Sequence, residues 1–453
     1  MLGEYRISGG RAAEISASVE RGVGEGALAP GQLLPPMREL AAELGVNPNT
    51  VASAYRMLRE RGVIETAGRR GSRIRARPAV TARESIRADL PEGVRDLSMG
   101  NPDPALLPSL RDALGWAVER ADARPVMYGE ETVEPELARL AREGFDAAGV
   151  PDGPVAVASG SLDAIERVLA VHLKPGDTVA VEDPGWGAML DLVPALGLRA
   201  VPVAVDDEGP LPGEVERALR GGARAVVVTS RAQNPTGAAV SARRAAELRE
   251  VLAGWPTVLL VEDDHGHGIV DLPVNALSGG PAGARAGGGP WVFVRSVSKG
   301  YGPDLRVAVL TGDAETVDRV RGRQRLGPGW VSRLLQQAVV RLWTSGAVDT
   351  DAVARSYGER RDALVAGLAE RGVRAYGRSG MNVWVPVADE TGVVARMLYA
   401  GWGVAPGARF RMAAGAGVRL TVSSLGVEEI GVVADAVADA VGPGPREEGR
   451  RYG

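Results

Sequence analysis

The chain has 453 residues, 45% of them hydrophobic, and a net charge of −4. That length suits two or three domains, and that apolar content supports packed cores rather than a disordered chain. With no cysteine and only three histidines (His172, His265, His267), disulfides, zinc fingers, thiol catalysis and most histidine metal sites are excluded.

No early apolar run reads as a signal peptide, and no stretch of about 18 apolar residues reads as a membrane span. A soluble, cytoplasmic protein is expected. Residues 1–80 hold 12 Arg and 8 Glu with no Asp or Lys, a basic surplus of 4 on an otherwise acidic chain. A basic module of this kind fits an anionic partner such as DNA. Only two lysines occur, Lys174 and Lys299. Arginine serves most surface charge, so a lysine that persists is a candidate for what arginine cannot do: lose its proton and attack a carbonyl.

In chain order, residues 11–27 carry helical periodicity and predict a first helix, broken by Pro30, Gly31, Pro35 and Pro36. Met37 to Leu44 predicts a short amphipathic helix ended at Gly45. Asn47-Pro48 predicts the cap and first turn of a third helix, which runs to about Arg61. Val63–Thr66 and Ser72–Arg75, around Gly68-Arg69-Arg70-Gly71, predict a small β-hairpin. This is the arrangement of a winged helix-turn-helix, mainly α with a β wing, over residues 1–77. Asn49 and Thr50 would meet bases and phosphates in the major groove, with Arg38 reaching a base or a phosphate. Arg69 and Arg70 at the wing tip would lie along the backbone or in the minor groove.

Residues 78–95 carry no apolar pattern and read as a linker. A large α/β domain is then expected over residues 96–345. Its strands are predicted at 155–158, 179–181, 200–205, 225–228, 258–261, 291–294 and 307–310, alternating with helical stretches. Gly279 to Pro290 is Gly/Ala-rich and reads as a mobile surface loop. A smaller C-terminal α+β domain is expected over 346–441, and a disordered tail over 442–453.

The chemistry concentrates in Ser296-Val297-Ser298-Lys299-Gly300-Tyr301-Gly302-Pro303-Asp304-Leu305-Arg306. A lysine at a strand end, flanked by hydroxyls and followed by arginine, suits a phosphorylated aldehyde. Lys299 would form the imine, while Ser296, Ser298 and Arg306 hold the phosphate. Ser159-Gly160-Ser161, between a strand and a helix, offers backbone N–H groups to the same phosphate. Trp186 would stack on a pyridine ring, Asn234 in Asn234-Pro235-Thr236-Gly237 would bond the ring hydroxyl, and Asp263 would keep the ring nitrogen protonated. Arg419 would pair with a substrate or effector carboxylate. Alone, Trp186 reads as core, Asn234 as a turn former and Asp263 as a cap. Jointly they point to pyridoxal 5'-phosphate.

Two resemblances follow from these motifs. LPPMRELAAELGVNPNTVASAYRMLRERGVIET with its GRRGS wing resembles the GntR-type reading head. It implies contacts to double-stranded operator DNA from Arg38, Asn49, Thr50, Tyr55, Arg69, Arg70 and Ser72, with Tyr55 alternatively packing internally. Residues 96–440 resemble fold-type I pyridoxal phosphate-dependent aminotransferases. The whole chain resembles the MocR family of chimeric regulators. That resemblance implies a domain-swapped homodimer, with Tyr128 of one subunit reaching the phosphate of the other. The family usually places tyrosine two residues beyond the aspartate; here His265 stands there, and its imidazole can also donate to the ring hydroxyl. NPTG, Asp-Asp-His, RSVSK and GPDLR together resemble a subgroup linked to vitamin B6 salvage. The implied function is a nucleoid-associated transcription regulator that holds pyridoxal phosphate as an aldimine on Lys299 and responds to it, or to its aldimine with an amine or amino acid. The alternatives are a working aminotransferase carrying a DNA-binding head, and a DNA-binding protein whose large domain only dimerises.

Overall fold

The computed structural model describes residues 5–24, 27–29, 31–60, 63–66, 71–74, 90–280 and 288–442. It divides into two compact units, Met1–Ile86 with Lys174–Asp177 and Val193–Arg199, and the remainder. Among the described residues no helix is long and apolar enough to cross a membrane.

In the first unit, α1 (Ala12–Gly24), α2 (Met37–Leu44) and α3 (Pro48–Glu60) precede an antiparallel pair, β1 (Ile64–Thr66) and β2 (Ser72–Ile74). α2 stops at Gly45, whose φ of 66° returns its N–H to the last carbonyls of the helix. The Asn47 side chain accepts the Asn49 N–H at 2.8 Å and so caps α3. Ile15, Val19, Leu40, Val51, Leu58, Ile64 and Ile74 close one core. The wing tip, Arg69 and Arg70, lies outside the described residues, as do most of the expected linker and all of the expected tail beyond Gly442.

The second unit opens with β3 (Arg95–Asp96), α4 (Arg111–Ala123) and α5 (Pro135–Ala147). There follow β4 (Val155–Ala158), α6 (Ser161–His172), β5 (Thr178–Asp183), α7 (Gly187–Ala195), β6 (Arg199–Asp206) and β7 (Gly209–Pro210). Next come α8 (Pro212–Arg220), β8 (Ala223–Arg231), α9 (Ala242–Ala253), β9 (Leu259–Asp264), β10 (Trp291–Ser296) and α10 (Ser298–Tyr301). β11 (Ala308–Gly312), α11 (Ala314–Arg325) and α12 (Arg333–Thr344) end this part.

All seven expected strands form. β9, β10 and β11 are buried along their whole length, as runs such as Leu-Leu-Val and Val-Phe-Val require. Eight strands make one mixed sheet in the order β4-β11-β10-β9-β8-β5-β6-β7. β5, β8, β9 and β10 run parallel, and β11 is antiparallel to β10 and to β4. α5 buries Leu137, Ala141 and Phe145 at helical spacing, and Phe145 meets Phe293 edge-on at 5.8 Å.

The remainder is α13 (Thr350–Glu370), β12 (Asn382–Pro386), α14 (Glu390–Tyr399), β13 (Trp402–Gly403), β14 (Ala405–Pro406), β15 (Gly417–Thr421) and α15 (Ile430–Val441). β12, β15 and β14 form a three-stranded sheet. β3 pairs in parallel with β13, and Leu97 joins the core of Leu364, Val383, Leu420 and Val433. Residues 95–97 therefore pack with this smaller layer, not as linker or large-domain chain as expected. The pairing spans about three hundred residues, which local patterning cannot register. Just before the expected loop, Leu277 and Ser278 are buried, and both N–H groups donate to Glu262; within that loop, residues 281–287 lie outside the described set.

Candidate functional site

The sheet register brings together the residues expected to hold a phosphate. Ser296 pairs with Ala308, and Ala308 with Ala158. One row across three strands therefore sets the exits of β4 and β10 and the entry of β11 side by side. Ser159–Ser161, Ser296–Lys299 and Arg306 all leave from that row, at the carboxyl ends of the parallel strands where α/β sheets bind ligands.

Gly160 caps α6 with a φ of 97°. A Cβ there would stand 2.6 Å from an Arg306 guanidinium nitrogen, so Arg306 lies directly over this backbone. Arg306 Nη2 donates to the Ser159 carbonyl at 2.7 Å, from a residue held at φ 47°. Ser296 is buried, and its hydroxyl accepts the Ser298 N–H at 3.2 Å. A guanidinium, two serine-bearing turns and a helix N-terminus thus face one point, a cradle that a side chain at Gly160 would fill and that suits a phosphate.

Lys299 lies in a cleft with Gly100, Asn234, His265, Ile269, Met381 and Asn382. Its ammonium donates to the Gly100 carbonyl. Arg419, in β15, is buried and donates to Asn234 Oδ1 at 2.9 Å and to the Ser98 carbonyl at 2.5 Å. Its guanidinium sits 4.7 Å from the Phe410 ring centre. The carbonyls of Ser98 and Gly100, and Phe410, have no local sequence signal, because they arrive from far along the chain.

Asp263 ends β9, 3% exposed, with Oδ1 lacking any hydrogen-bond partner. Burial pushes its carboxyl up to about 7; the Ser161 hydroxyl opposes this, and the carboxyls of Asp264 and Glu182 add to it. An orphaned buried carboxyl oxygen fits a protonated ring nitrogen. Asp264 points elsewhere: burial would raise it, but Arg231 and Arg295 outweigh that and hold it low, at 2.9 and 3.0 Å. His265 Nδ1 is 3.9 Å from Asp263 Oδ2, and its ring centre is 5.9 Å from that of Trp186. Burial, then the Lys299 charge, pushes His265 down to about 3, so it is a neutral imidazole.

The Trp186 turn is latched to the smaller layer. Asp183 accepts the N–H groups of Met412, Ala413 and Ala414 at 2.9, 2.7 and 2.8 Å, and Gly185 N–H donates to the Phe410 carbonyl at 2.7 Å. The sequence singled out this turn for Trp186 alone.

Tyr128 is not part of this cleft. It is 90% exposed, edge-on to Trp330 at 5.5 Å. In the head, Arg38 and Asn49 are exposed and Thr50 and Ser72 half-buried. Tyr55 corrects the expected contact: it is 1% exposed and its hydroxyl donates to the Pro35 carbonyl at 2.7 Å. It joins the core because its position on α3 faces α2, so it packs internally rather than meeting DNA.

Comparison with known proteins accords with this geometry. Residues 95–437 match the family described as aminotransferase class I and II, and residues 11–74 match the gntR family of bacterial regulatory proteins. The vitamin B6 salvage pathway transcriptional repressor PtsJ of Salmonella typhimurium is 38% identical over 96% of this chain and 99% of its own. The pyridoxine biosynthesis transcriptional regulator PdxR of Corynebacterium glutamicum is 28% identical over 55% of each chain. Among solved structures, Pyrococcus horikoshii kynurenine aminotransferase superposes with a TM-score of 0.69 at 21% identity, covering 77% of this chain and 91% of its own.

Proposed function

The chain belongs to the MocR-type regulators, a gntR-family DNA-binding head joined to an aminotransferase class I and II domain, and from that premise we propose that it senses pyridoxal 5'-phosphate and controls genes of vitamin B6 metabolism. The family implies pyridoxal 5'-phosphate as the cofactor. Bound there, this group supplies a ring that withdraws electrons from an attached amine. Lys299 would hold its aldehyde carbon, Ser159–Ser161, Ser296, Ser298 and Arg306 its phosphate, Asp263 its nitrogen, Asn234 and His265 its hydroxyl, and Trp186 its face. Arg419 would take the carboxylate of an amino-acid effector. The partner subunit's Tyr128 would complete the phosphate contacts in a homodimer.

The observation that carries this reading is the Arg306 guanidinium seated over the Gly160 backbone beside the row that positions Lys299. The B6 assignment is supported by the likeness to the salvage repressor across nearly the full chain. Visible absorbance on adding pyridoxal phosphate tests it, with Lys299→Ala beside wild type. A Lys299-dependent band together with a change in operator affinity is expected. A band without any change in DNA binding would overturn the sensor reading.

A second reading, a working aminotransferase, is favoured by Arg419 and Asn234 standing together beside Lys299. Repeated amino-group transfer with a panel of amino acids would support it, and conversion that stops at one turnover or fewer would exclude it.

A further inference from the structure

Glu182 has no role in the site so far. It stands next to last in β5, beside Asp183, and is 7% exposed. Its oxygens accept the Thr229 N–H at 3.0 Å, the Thr229 hydroxyl at 2.8 Å and the Gln233 side chain at 3.2 Å. A cavity of about 20 Å³, room for one water molecule, lies between β5, β8 and β9. Glu182, Asp263, Thr229 and Trp186 line it together with aliphatic side chains such as Val181 and Leu190.

Two carboxyls therefore face one small apolar space. Among the described residues no Lys or Arg charge lowers either carboxyl; Lys299 acts on His265 and donates to the Gly100 carbonyl. Ser161 faces Asp263 from α6; Asp264 stands beside it in β9; His265 is neutral; Arg231 and Arg295 are engaged by Asp264. Among the described residues neither Glu182 nor Asp263 forms an ion pair with Lys or Arg. Like charges in such a space cannot both ionise cheaply, and the two sites titrate as a pair.

We propose that Glu182 is a positioning residue for the ring-nitrogen end of the cofactor site: Glu182 and Asp263 act as one coupled pair that keeps a proton at neutral pH, and Glu182 holds that proton when Asp263 meets a cationic ring nitrogen. The proposal rests on the pyridoxal phosphate reading of the site. Both carboxyls are pushed up to about 7, Glu182 by burial against the opposing hydrogen bonds from Thr229 and Gln233, and Asp263 by burial with the neighbouring carboxyls of Asp264 and Glu182 adding to it. With a positive ring nitrogen beside it, Asp263 would ionise first, because that charge would stand nearest its carboxyl and its unpartnered Oδ1 could accept the ring N–H. Its proton load passes to Glu182, whose neutral form does not compete for the cation. At higher pH Glu182 ionises too, and the second negative charge makes the ring nitrogen harder to deprotonate.

The test uses full-length protein loaded with pyridoxal phosphate labelled with ¹⁵N in the ring, following the ring-nitrogen chemical shift against pH in wild type, Glu182→Gln and Glu182→Ala. Both variants remove the charge; Gln keeps most of the hydrogen bonds and Ala keeps none. The expected result is a deprotonation midpoint lower by roughly one pH unit in both. A midpoint unchanged in Glu182→Gln would overturn the proposal and leave Glu182 as a prop for Thr229 and Gln233. Infrared spectra of the cofactor-free protein give a second check: a protonated buried carboxyl that persists to about pH 7 in wild type must be diminished in Glu182→Gln, since Glu262 is buried and raised as well, and identical spectra would also overturn the proposal. Failure of the cofactor reading looks different, because wild type would then show no Lys299-dependent absorbance band.

Discussion

Arg419 reaches across from β15 to donate to Asn234 Oδ1 at 2.9 Å, tying the smaller sheet to the turn that follows β8. The same guanidinium holds the Ser98 carbonyl and lies over Phe410. An arginine held by these contacts is oriented in advance, which would lower the entropy cost of gripping a carboxylate.

Asn234→Ala removes one of those ties. The expected loss is about 1.5 kcal/mol, close to tenfold, in the affinity of the pyridoxal phosphate-loaded protein for amino acids. Titration followed by visible absorbance measures it. The variant should lose clearly less affinity for amines that lack a carboxylate, and an equal loss for both ligand types would show that Asn234 acts through the cofactor alone and not through Arg419.

Gly160→Ala places a methyl group 2.6 Å from the Arg306 guanidinium in a residue at φ 97°. Backbone strain of about 1–3 kcal/mol and a displaced arginine should weaken pyridoxal phosphate by tenfold or more. Operator binding by the cofactor-free protein should stay within about twofold of wild type. Equilibrium dialysis and a DNA mobility assay separate the two effects.

Two groups of buried residues pull the pH dependence of stability in opposite directions. Burial, with Arg295 second, pushes His267 down to about 3, and burial with Lys299 does the same for His265. A histidine that stays neutral when folded contributes stability above its unfolded value near 6.5, lost as pH falls below it. Asp263 has its pKa raised, so its contribution is present below the unfolded value near 3.9 and is lost as pH climbs to about 7. Cofactor-free protein should therefore weaken on both sides of a maximum in chemical denaturation. Asp263→Asn should stabilise it by ~2 kcal/mol at about pH 8 while impairing cofactor binding. A destabilised Asp263→Asn at that pH would mean the native carboxylate has a partner after all.

In the head, Tyr55→Phe removes only the bond to the Pro35 carbonyl. It should cost about 1 kcal/mol of stability and leave operator affinity unchanged. Arg38→Ala should do the reverse, weakening DNA binding and lowering its salt dependence by about one ion, with cofactor absorbance intact.

What the sequence made legible was what short-range chemistry decides. β9 and β10 were readable because strands buried on both faces must be continuous apolar runs. Lys299 and Arg306 were readable because one loop carries both. Tyr55 was not, since its spacing on α3 serves the groove and the core equally well. Leu97, Asp183 and Glu182 were opaque for another reason. Their partners lie in other strands or in the smaller layer, and the Asp183 latch closes over more than two hundred residues. No window of sequence contains both ends of such a contact.

The aligned row Ser296–Ala308–Ala158 has a consequence for how such a site evolves. Three hydrogen-bonded strands make the proposed phosphate side an anvil: any movement there would break a ladder. The proposed carboxylate side belongs to β15, which reaches the large sheet through Arg419 and Asn234. On the proposed reading, grip on the cofactor and choice of amine would thus be entrusted to separate parts. Changes around β12 and β15 would retune which amine the protein answers to, while the hold on the vitamin stayed as it was.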